Sequence, residues 1–451
     1  MMIPRPFLWL LAAMAGLATT GHPQGVELAS KNDISWSVPG TNENDSLPLG
    51  NGDLALNVWT EPNGDLLVLA AKADAWSENG QLLKLGRVRL KLTPNPFLTQ
   101  DTRQTLHLGT AEISLTNQNN HLHVWVDANR SVAHIDLQTK TPVQVEAAAE
   151  LWRTRPYHLA PGEVSAGGFF EWGGNPHGLD FQADTVLPAG SDQITWCHFN
   201  TNSIYPLVLS REHLAGLTNA FPDPLWHRCF GLAARGKNLS ARTPLTLGSR
   251  QAGKHFHLEL HALTETGVTP ERWQADLQKQ IQDASRVTPT EAWADHQSWW
   301  QAFWERSWLV VDGSPAARAV SQSYAMQRFM TACTSRGAQP AKFNGSLFTV
   351  GHDLPPGVAS TEASHDPDYR AWGNSYWNQN NRFIYWPLLA TGDFDLLQPW
   401  FEMYRQALPM ATARTREYFH HDGAAFIETM YFWGLPNVND FGWNNQGVEL
   451  Q

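Results

Sequence analysis

The sequence is poor in charged residues, which make up 17% of its 451 positions, and its formal net charge is −11. It has no run of lysine and arginine, and an acidic balance repels a phosphate backbone, so nucleic acid is not expected as a partner. Only three cysteines are present, Cys197, Cys229 and Cys333, so at most one internal disulfide can form. The chain must therefore depend on its hydrophobic core for stability.

Motifs of several common chemistries are also missing. The sequence has no glycine-rich phosphate loop before a helix, no zinc-binding helix motif and no Gly-x-Ser-x-Gly nucleophile elbow. Nothing indicates an organic cofactor. His255, His257 and His261 alternate along one predicted strand. Two such histidines could bind zinc, but no third ligand group with suitable spacing stands nearby, so a hydrated strand face is favoured and no metal site is predicted.

The first residues, 1–21, are typical of an export signal. Arg5 supplies the positive charge, an apolar segment runs over residues 7–17, and small residues follow as far as Gly21. The apolar segment is too short for a permanent membrane span, and no second segment reaches that length. The sequence therefore predicts a secreted or periplasmic protein with no membrane attachment beyond the signal.

Strand-like patterns fill the chain from Asn32 to about Leu263. Polar and apolar residues alternate over 121–126 and again over 255–261, and turn signals such as Asn51-Gly52 separate the runs at short intervals. Many short alternating strands of this kind are typical of an antiparallel β-sandwich, which we assign to residues 26–265.

The pattern becomes helical after Gly267. We assign linker helices to residues 266–312, where Thr288 and Glu291 have the spacing of a capping box. Residues 313–451 form a helical domain, with helices predicted over 315–335, from the central motif to residue 390, and over 395–419.

The central motif, residues 372–387, interleaves amide and aromatic side chains. Amides are costly to bury unless each donor and acceptor is paired, so the run suggests a wet pocket lined by rings. Rings that stack on C–H faces beside amides that read hydroxyls are suited to binding sugars. The alternative is a helix whose aromatic residues fill the core.

Three stretches together resemble the α-L-fucosidase-like members of the six-hairpin glycosidases. The first is residues 47–54 with the later 72–77, the second is 336–345, and the third is Asn378-x-Asn380 followed by residues 385–387. The N-terminal half looks closest to an uncharacterised β-sandwich group of bacterial polysaccharide-degrading proteins. The resemblance implies a β + α fold, in which an N-terminal antiparallel β-sandwich precedes a partial (α/α)6 toroid.

The resemblance also implies that the helical domain is incomplete. A six-hairpin toroid needs about twelve helices of ~11–12 residues, far more than residues 313–451 provide. The general-acid glutamate and the late aspartate of the family lie downstream of anything in this chain. We therefore expect either a C-terminally truncated fragment of a larger gene product or a chain that has lost catalysis.

The predicted catalytic residues are Asn378, Asn380 and Glu428. The resemblance implies that the two asparagines orient a water molecule for inverting hydrolysis, although local hydrogen bonds within the helical turn are the alternative. Glu428 is the candidate acid, because burial among Phe426, Phe432 and Trp433 would raise its pKa. Its alternative role is a carboxylate that binds sugar hydroxyls.

Further residues are predicted to contact substrate, with core packing or a loop that seals the domain interface as the alternative. They are Trp372, Tyr376, Trp377, Asn381, Arg382, Trp433, Asp74 and Trp76. Additional carboxylates near the helical motifs are Asp366, Asp368, Asp393 and Asp440, and a solvent-facing loop is favoured for the first two.

The sequence thus predicts an exported glycoside-hydrolase-like protein that acts on a poly- or oligosaccharide by inversion and is incomplete or inactive as this chain. The rival interpretation is a non-catalytic carbohydrate-binding protein. A third has phosphate replace water, as in disaccharide phosphorylases, although few clustered cations are present to build an anion site. A carbohydrate is the only partner predicted, and no oligomeric state follows.

Overall fold

The computed structural model describes residues 24–37, 39–158, 180–351, 367–368, 370 and 373–436. Within them, strands predominate up to residue 266 and helices after residue 270. The predicted order of an antiparallel β region followed by helices is therefore confirmed. Residues 1–21, the predicted export signal, lie outside the described residues, as do Asp366, Trp372 and Asp440.

The strands are short to medium in length, with one exception of 19 residues. Their bounds are β1 (Ile34–Trp36), β2 (Leu47–Gly50), β3 (Leu54–Thr60), β4 (Leu66–Trp76), β5 (Leu82–Thr93), β6 (Arg103–His107), β7 (Glu112–Asn117), β8 (Asn120–Val126), β9 (Val132–Glu150), β10 (Tyr157–His158), β11 (Asp180–Phe181), β12 (Thr185–Leu187), β13 (Gln193–Phe199), β14 (Arg228–Lys237), β15 (Leu239–Thr243), β16 (Thr246–Ser249), β17 (Gly253–Thr266), β18 (Tyr376–Trp377) and β19 (Thr429–Met430).

The helices lie mostly after the strands. Their bounds are α1 (Gln24–Ser30), α2 (Tyr205–Arg211), α3 (Pro270–Ala284), α4 (Pro289–Arg306), α5 (Pro315–Thr334), α6 (Asn378–Thr391) and α7 (Gln398–Phe419).

The long strand β9 belongs to both halves of the β region. Its first part lies between β8 and β17, in the order β1-β6-β7-β8-β9-β17-β14-β13-β12. Its second part lies between β5 and β16, in the order β2-β3-β4-β5-β9-β16-β15. Strand β4 contacts both β14 and β17, and apolar residues of the two halves share one core. The halves therefore pack face to face.

The linker helices pack onto this β region. Helix α3 buries Trp273, Leu277 and Ile281 against β13 and β14. Helix α4 begins with the predicted capping box, in which Thr288 Oγ1 accepts from the Glu291 N–H at 3.2 Å and Glu291 Oε2 accepts from the Thr288 N–H at 2.9 Å. This reciprocal pair satisfies two N–H groups that a helix start leaves unpaired.

The three cysteines are buried and free.

The Gly50-Asn51-Gly52 segment joins the β region to α5. The Gly52 N–H donates to the Cys333 carbonyl, and the Arg336 N–H donates to the Gly52 carbonyl, both at 3.0 Å. Gly52 has φ +93°, and a Cβ at this position would lie 2.6 Å from the Arg336 nitrogen. Only glycine permits so close an approach of two backbones in this conformation. The glycine-rich motif is thus explained by the domain junction.

A chain of buried charges crosses the same junction. Asp368, which is 3% exposed, accepts from Arg153 Nη1 at 2.5 Å and from the Lys84 N–H at 2.6 Å. The prediction of a solvent-facing loop is therefore wrong for Asp368. Arg153 also donates to Asp184 at 2.9 Å. Because these groups are paired, their charges can be buried.

His198 extends this charge network. Its Nε2 lies 2.9 Å from Glu78 Oε2 and its Nδ1 lies 3.1 Å from Asp184 Oδ1. Burial alone would lower the pKa of His198, but the carboxylate groups on either side raise it to about 9.

Large apolar side chains are exposed on the last helices. Phe383, Trp386 and Leu389 of α6 and Phe401 of α7 are all more than half exposed. Three helices follow residue 313 in the described part of the chain, so the (α/α)6 toroid stays a prediction. In the part of the chain that the structure describes, every helix is too short or too polar to span a bilayer.

Candidate functional site

The central motif lies where a two-stranded ribbon meets a helix. Strand β18 pairs with β19, with Tyr376 opposite Met430 and Trp377 opposite Thr429, and α6 begins directly after β18. This ribbon places Glu428 beside the first turn of α6. Glu428 lies 49 positions after Gln379 in the sequence, so the ribbon is what brings the predicted residues together.

Glu428 interacts with the N-terminus of α6. Its Oε1 accepts from the Gln379 N–H at 2.6 Å, and its carbonyl accepts from the Asn378 N–H at 2.9 Å. A carboxylate at this end of a helix is stabilised by unpaired N–H groups and by the helix dipole. The side chain is exposed, so its predicted burial among Phe426, Phe432 and Trp433 is wrong.

Asn378 and Asn380 are exposed in the first turn of α6. Asn378 Oδ1 accepts from the Tyr404 hydroxyl at 3.1 Å. Burial and the negative charge of Glu428 together raise the pKa of Tyr404 to about 12, so its hydroxyl stays protonated and remains a donor at neutral pH. The Phe426 ring packs edge-on against Tyr404 at 5.0 Å. The structure thus brings together Glu428 and both asparagines, and adds Tyr404, which the sequence did not indicate.

Asn381 does not face this surface. It is fully buried, its Nδ2 donates to the Ala341 carbonyl at 2.8 Å, and its Oδ1 accepts from the Phe343 N–H at 3.1 Å. Tyr385, one turn further along α6, accepts from the Ala341 N–H at 2.7 Å. The two side chains hold the 336–345 loop against α6. The prediction that Asn381 contacts substrate is therefore corrected, because its amide is paired with the main chain in a dry interior.

Most of the aromatic rings that are predicted to contact substrate are buried at the domain interface. Trp76 is 0% exposed, Tyr376 1% and Trp433 9%. The Trp76 ring lies 5.8 Å from Tyr376, and both belong to the main core. Contact with substrate needs an accessible ring face, so the prediction is wrong for these rings, and the alternatives of core packing and a sealed domain interface apply. Trp377 is half-buried, with its ring edge-on to Phe343 at 6.2 Å.

Asp74 is likewise a buried structural group. Lys72 Nζ lies 2.8 Å from Asp74 and 3.0 Å from Asp53, and Arg228 lies 4.0 Å from Asp74. Burial would raise the pKa of Asp74, but the two cations outweigh it and hold the pKa below its usual value. The predicted contact with substrate is corrected, since the carboxylate is enclosed by its cations.

Arg382 and Asp393 lie in different surroundings, the first on the outer part of α6 and the second in the interior. The Arg382 guanidinium lies 4.9 Å from the centre of the exposed Trp386 ring, a cation–π arrangement on the outer part of α6. Asp393 is fully buried and pairs with Arg328 Nη2 at 2.8 Å. Asp393 therefore stabilises the helices, whereas substrate contact by Arg382 stays a prediction.

A second polar cluster lies on the β region. His134, His257 and Glu259 each place one possible ligand atom within 4.8 Å of the others. Burial lowers the pKa of His257, but Asp136 and Glu259 outweigh burial and raise this pKa to about 9. For His134, burial is the main cause and lowers the pKa to about 3. The prediction that no third ligand group stands near the β17 histidines is wrong, because β9 supplies His134 from the neighbouring strand.

Comparisons with known proteins match a family model to more than half of the chain and report alignments to solved structures. The family model described as "Domain of unknown function (DUF5703)" matches residues 35–309, which include the β region and extend past α4. No curated protein matches the chain. A solved structure titled "Putative kojibiose phosphorylase from human microbiome" aligns with 93% of this chain at 12% identity and a TM-score of 0.47. The chain spans about half of that protein, 49% of its length.

Proposed function

Since the chain belongs to the family described as a domain of unknown function (DUF5703), we propose a function from its own residues: an exported protein of the glycoside-hydrolase type that acts on a poly- or oligosaccharide. The proposed site is the α6 surface, formed by Trp377, Asn378, Asn380, Tyr404 and Glu428. Export to the periplasm or the medium rests on the sequence of residues 1–21 alone.

One observation carries the proposal. Glu428, Asn378 and Tyr404 come from three separate segments, yet hydrogen bonds arrange them on one accessible surface: Gln379 N–H to Glu428 and Tyr404 hydroxyl to Asn378. A carboxylate, an amide and a phenol offer the acceptors and donors that sugar hydroxyls require. The half-buried Trp377 and the partly exposed Phe426 provide apolar surface for the C–H faces of a sugar ring.

Each polar residue has a proposed role. Asn378 and Asn380 orient a water molecule or a substrate hydroxyl, and Glu428 accepts hydrogen bonds from hydroxyls. Inverting hydrolysis requires a second carboxyl group roughly 6.5–9.5 Å from the first, with a water molecule between them. Because Glu428 is exposed and already accepts a main-chain N–H, a hydroxyl-binding role suits it better than that of general acid.

The same observation favours one alternative, a non-catalytic carbohydrate-binding protein. The α6 surface provides hydroxyl-binding groups and a ring, which are sufficient for recognition without a second carboxyl group. The two functions differ only in whether a glycosidic bond is cleaved.

A glycan panel distinguishes these functions. Purified protein is incubated with plant and algal polysaccharides and their oligosaccharides, and reducing ends, product anomers and bound glycan are measured. Glu428→Gln and Asn378→Ala are expected to weaken binding or cleavage at least about tenfold, since each removes a hydroxyl partner in a desolvated contact. Glu402→Gln is the matched control, because Glu402 lies on α7, its side chain is 38% exposed and it pairs with Arg405; this variant should behave as wild type.

Three outcomes are informative. Release of a product with inverted anomeric configuration supports the hydrolase, and binding without release supports the alternative. If folded wild-type protein neither binds nor cleaves any glycan, or if Glu428→Gln and Glu402→Gln behave alike, the α6 surface is not a carbohydrate site.

A further inference from the structure

Two neighbouring strands on the β region carry a cluster of imidazole and carboxylate groups. His134 lies on β9, and His257 and Glu259 lie on β17. The register places Glu259 directly opposite His134 and His257 opposite Asp136. All of these side chains therefore project from the same face of the pair, because residues two apart along a strand share a face. Antiparallel pairing assembles the cluster from positions more than 120 residues apart in sequence.

The spacing of the three inner atoms matches the coordination of a small metal ion. His134 Nδ1 lies 3.5 Å from His257 Nε2, which lies 3.3 Å from Glu259 Oε1, and the third edge of the triangle is 4.0 Å. A triangle with these edges has a circumscribed radius of about 2.1 Å. Zinc is bound by histidine nitrogen at about 2.0–2.1 Å and by carboxylate oxygen at about 2.0–2.2 Å. An ion near the centre would reach all three atoms without movement of the side chains.

The outer atoms of two of these residues are already held. His257 Nδ1 lies 2.6 Å from Asp136 Oδ1, so the carboxylate orients the ring with Nε2 toward the centre. Glu259 Oε2 lies 3.1 Å from His261 Nε2, which leaves Oε1 facing inward. In metal sites, a ligating histidine usually donates its other ring N–H to a carboxylate in this way.

The His134 ring is fixed by packing. It stacks on the Trp125 ring at 4.1 Å with an interplanar angle of 19°, and Trp125 in turn packs edge-on against Trp293 of α4 at 5.0 Å. His134 is 4% exposed, whereas the His257 and Glu259 side chains are 23% and 25% exposed. The cluster is therefore rigid on the His134 side and open to water on the other.

We propose that His134, His257 and Glu259 bind a divalent metal ion of the zinc class, with water in a fourth position on the open side. Two imidazoles and one carboxylate favour zinc, cobalt or nickel over magnesium and calcium, which prefer all-oxygen ligands. Glu259 and the neighbouring Asp136 together balance the two positive charges of the ion. The ion connects β9 to β17, so it stabilises the pairing of these strands.

A proton is the competitor for this position. In the absence of an ion, His257 Nε2–H donates to Glu259 or to His134, and this arrangement also satisfies the cluster. Metal binding requires a neutral ligand nitrogen, so it displaces this proton. The proposal is therefore decided by metal uptake and not by the stability of the cluster alone.

Cobalt titration of tag-free protein stripped with EDTA tests the site. Bound Co²⁺ gives visible absorption bands, and strong bands indicate a low coordination number. Zn²⁺ should displace the Co²⁺, with one ion bound per chain. Asp136→Asn is expected to weaken binding about 10–100-fold because it removes the carboxylate that orients the His257 ring, and Glu259→Gln and His257→Ala should weaken it further. Zinc should also raise the melting temperature, and EDTA should reverse the increase.

His255→Ala is the matched control. His255 lies on the same face of β17 as His257, is exposed, and is not part of the triangle, so its loss should leave affinity unchanged. If His257→Ala fails to fold by circular dichroism, the isosteric Glu259→Gln decides the question. Uptake by wild type no greater than by Glu259→Gln, or an equal loss in His255→Ala, overturns the proposal.

Discussion

Replacement of Asp368 by alanine should destabilise the protein by about 3–5 kcal/mol, the usual cost of removing one partner of a buried ion pair. The carboxylate accepts hydrogen bonds from Arg153 Nη1 at 2.5 Å, Trp152 Nε1 at 2.6 Å and the Lys84 N–H at 2.6 Å. Arg153 is 1% exposed, so water cannot replace the lost acceptor there. Asp368→Asn retains an acceptor oxygen but loses the charge, and about 1–3 kcal/mol is expected.

The measurement is the free energy of unfolding from urea titration, followed by tryptophan fluorescence and circular dichroism. Asp295→Ala is the control, because Asp295 is 56% exposed and pairs with Arg130 at 3.3 Å, a surface interaction worth no more than about 1 kcal/mol. Equal losses in the two variants, or a loss below about 1 kcal/mol for Asp368→Ala, would refute the reasoning that residue 368 anchors the chain before the central motif to the β region.

Three other changes test the remaining structure. The pKa of His198 is raised to about 9 in the folded chain against an ordinary 6.5, so its contribution to stability is fully present below pH 6.5 and is lost as pH rises through 9. The free energy of unfolding from urea titration should therefore fall by on the order of 3 kcal/mol between pH 6 and 10, and this fall should be absent in His198→Gln. Asn381→Ala should lower the free energy of unfolding by about 2–3 kcal/mol, because a buried N–H and a buried carbonyl lose their partners. Asn380 is exposed, so Asn380→Ala should change the free energy of unfolding by no more than about 0.5 kcal/mol. Similar losses in the two variants would contradict the structural role given to Asn381. Glu428→Gln removes a negative charge near Tyr404, so ultraviolet titration should show the pKa of that phenol falling from about 12. The pKa should remain above its ordinary value, because burial is the larger cause of the shift. An unchanged titration would show that the charge of Glu428 does not act on Tyr404.

Local signals predicted the elements well. The alternation in residues 121–126 and 255–261 corresponds to β8 and β17, and the capping box at Thr288 marks the start of α4. These signals work because side-chain periodicity and helix capping depend on neighbours in sequence. The division of β9 between two halves could not be read from its sequence, because it depends on which distant strands pair with each part.

The candidate site was only partly predictable for the same reason. The exposure of Asn378 and Asn380 agrees with a wet surface, but Asn381 belongs to the same run and is buried against the 336–345 loop. The presence of amides alone cannot distinguish an exposed asparagine from a buried one, since water and the main chain can both supply the hydrogen bonds that an amide needs. Likewise, Trp76 is predicted to contact substrate, but its ring packs against Tyr376 and Phe432, which lie at least 300 positions later in the sequence. The third ligand of the histidine cluster was missed because His134 meets His257 and Glu259 only through strand pairing.

The shared strand β9 has a consequence for how the β region gains and loses structure. Its two parts form hydrogen bonds with strands on both sides of it, including β17 more than 100 residues later, so its pairing cannot be completed until most of the β region has been synthesised. Folding dominated by such distant pairings is slow. Neither half can unfold on its own while β9 remains extended through both halves. The two halves are therefore expected to unfold in a single transition.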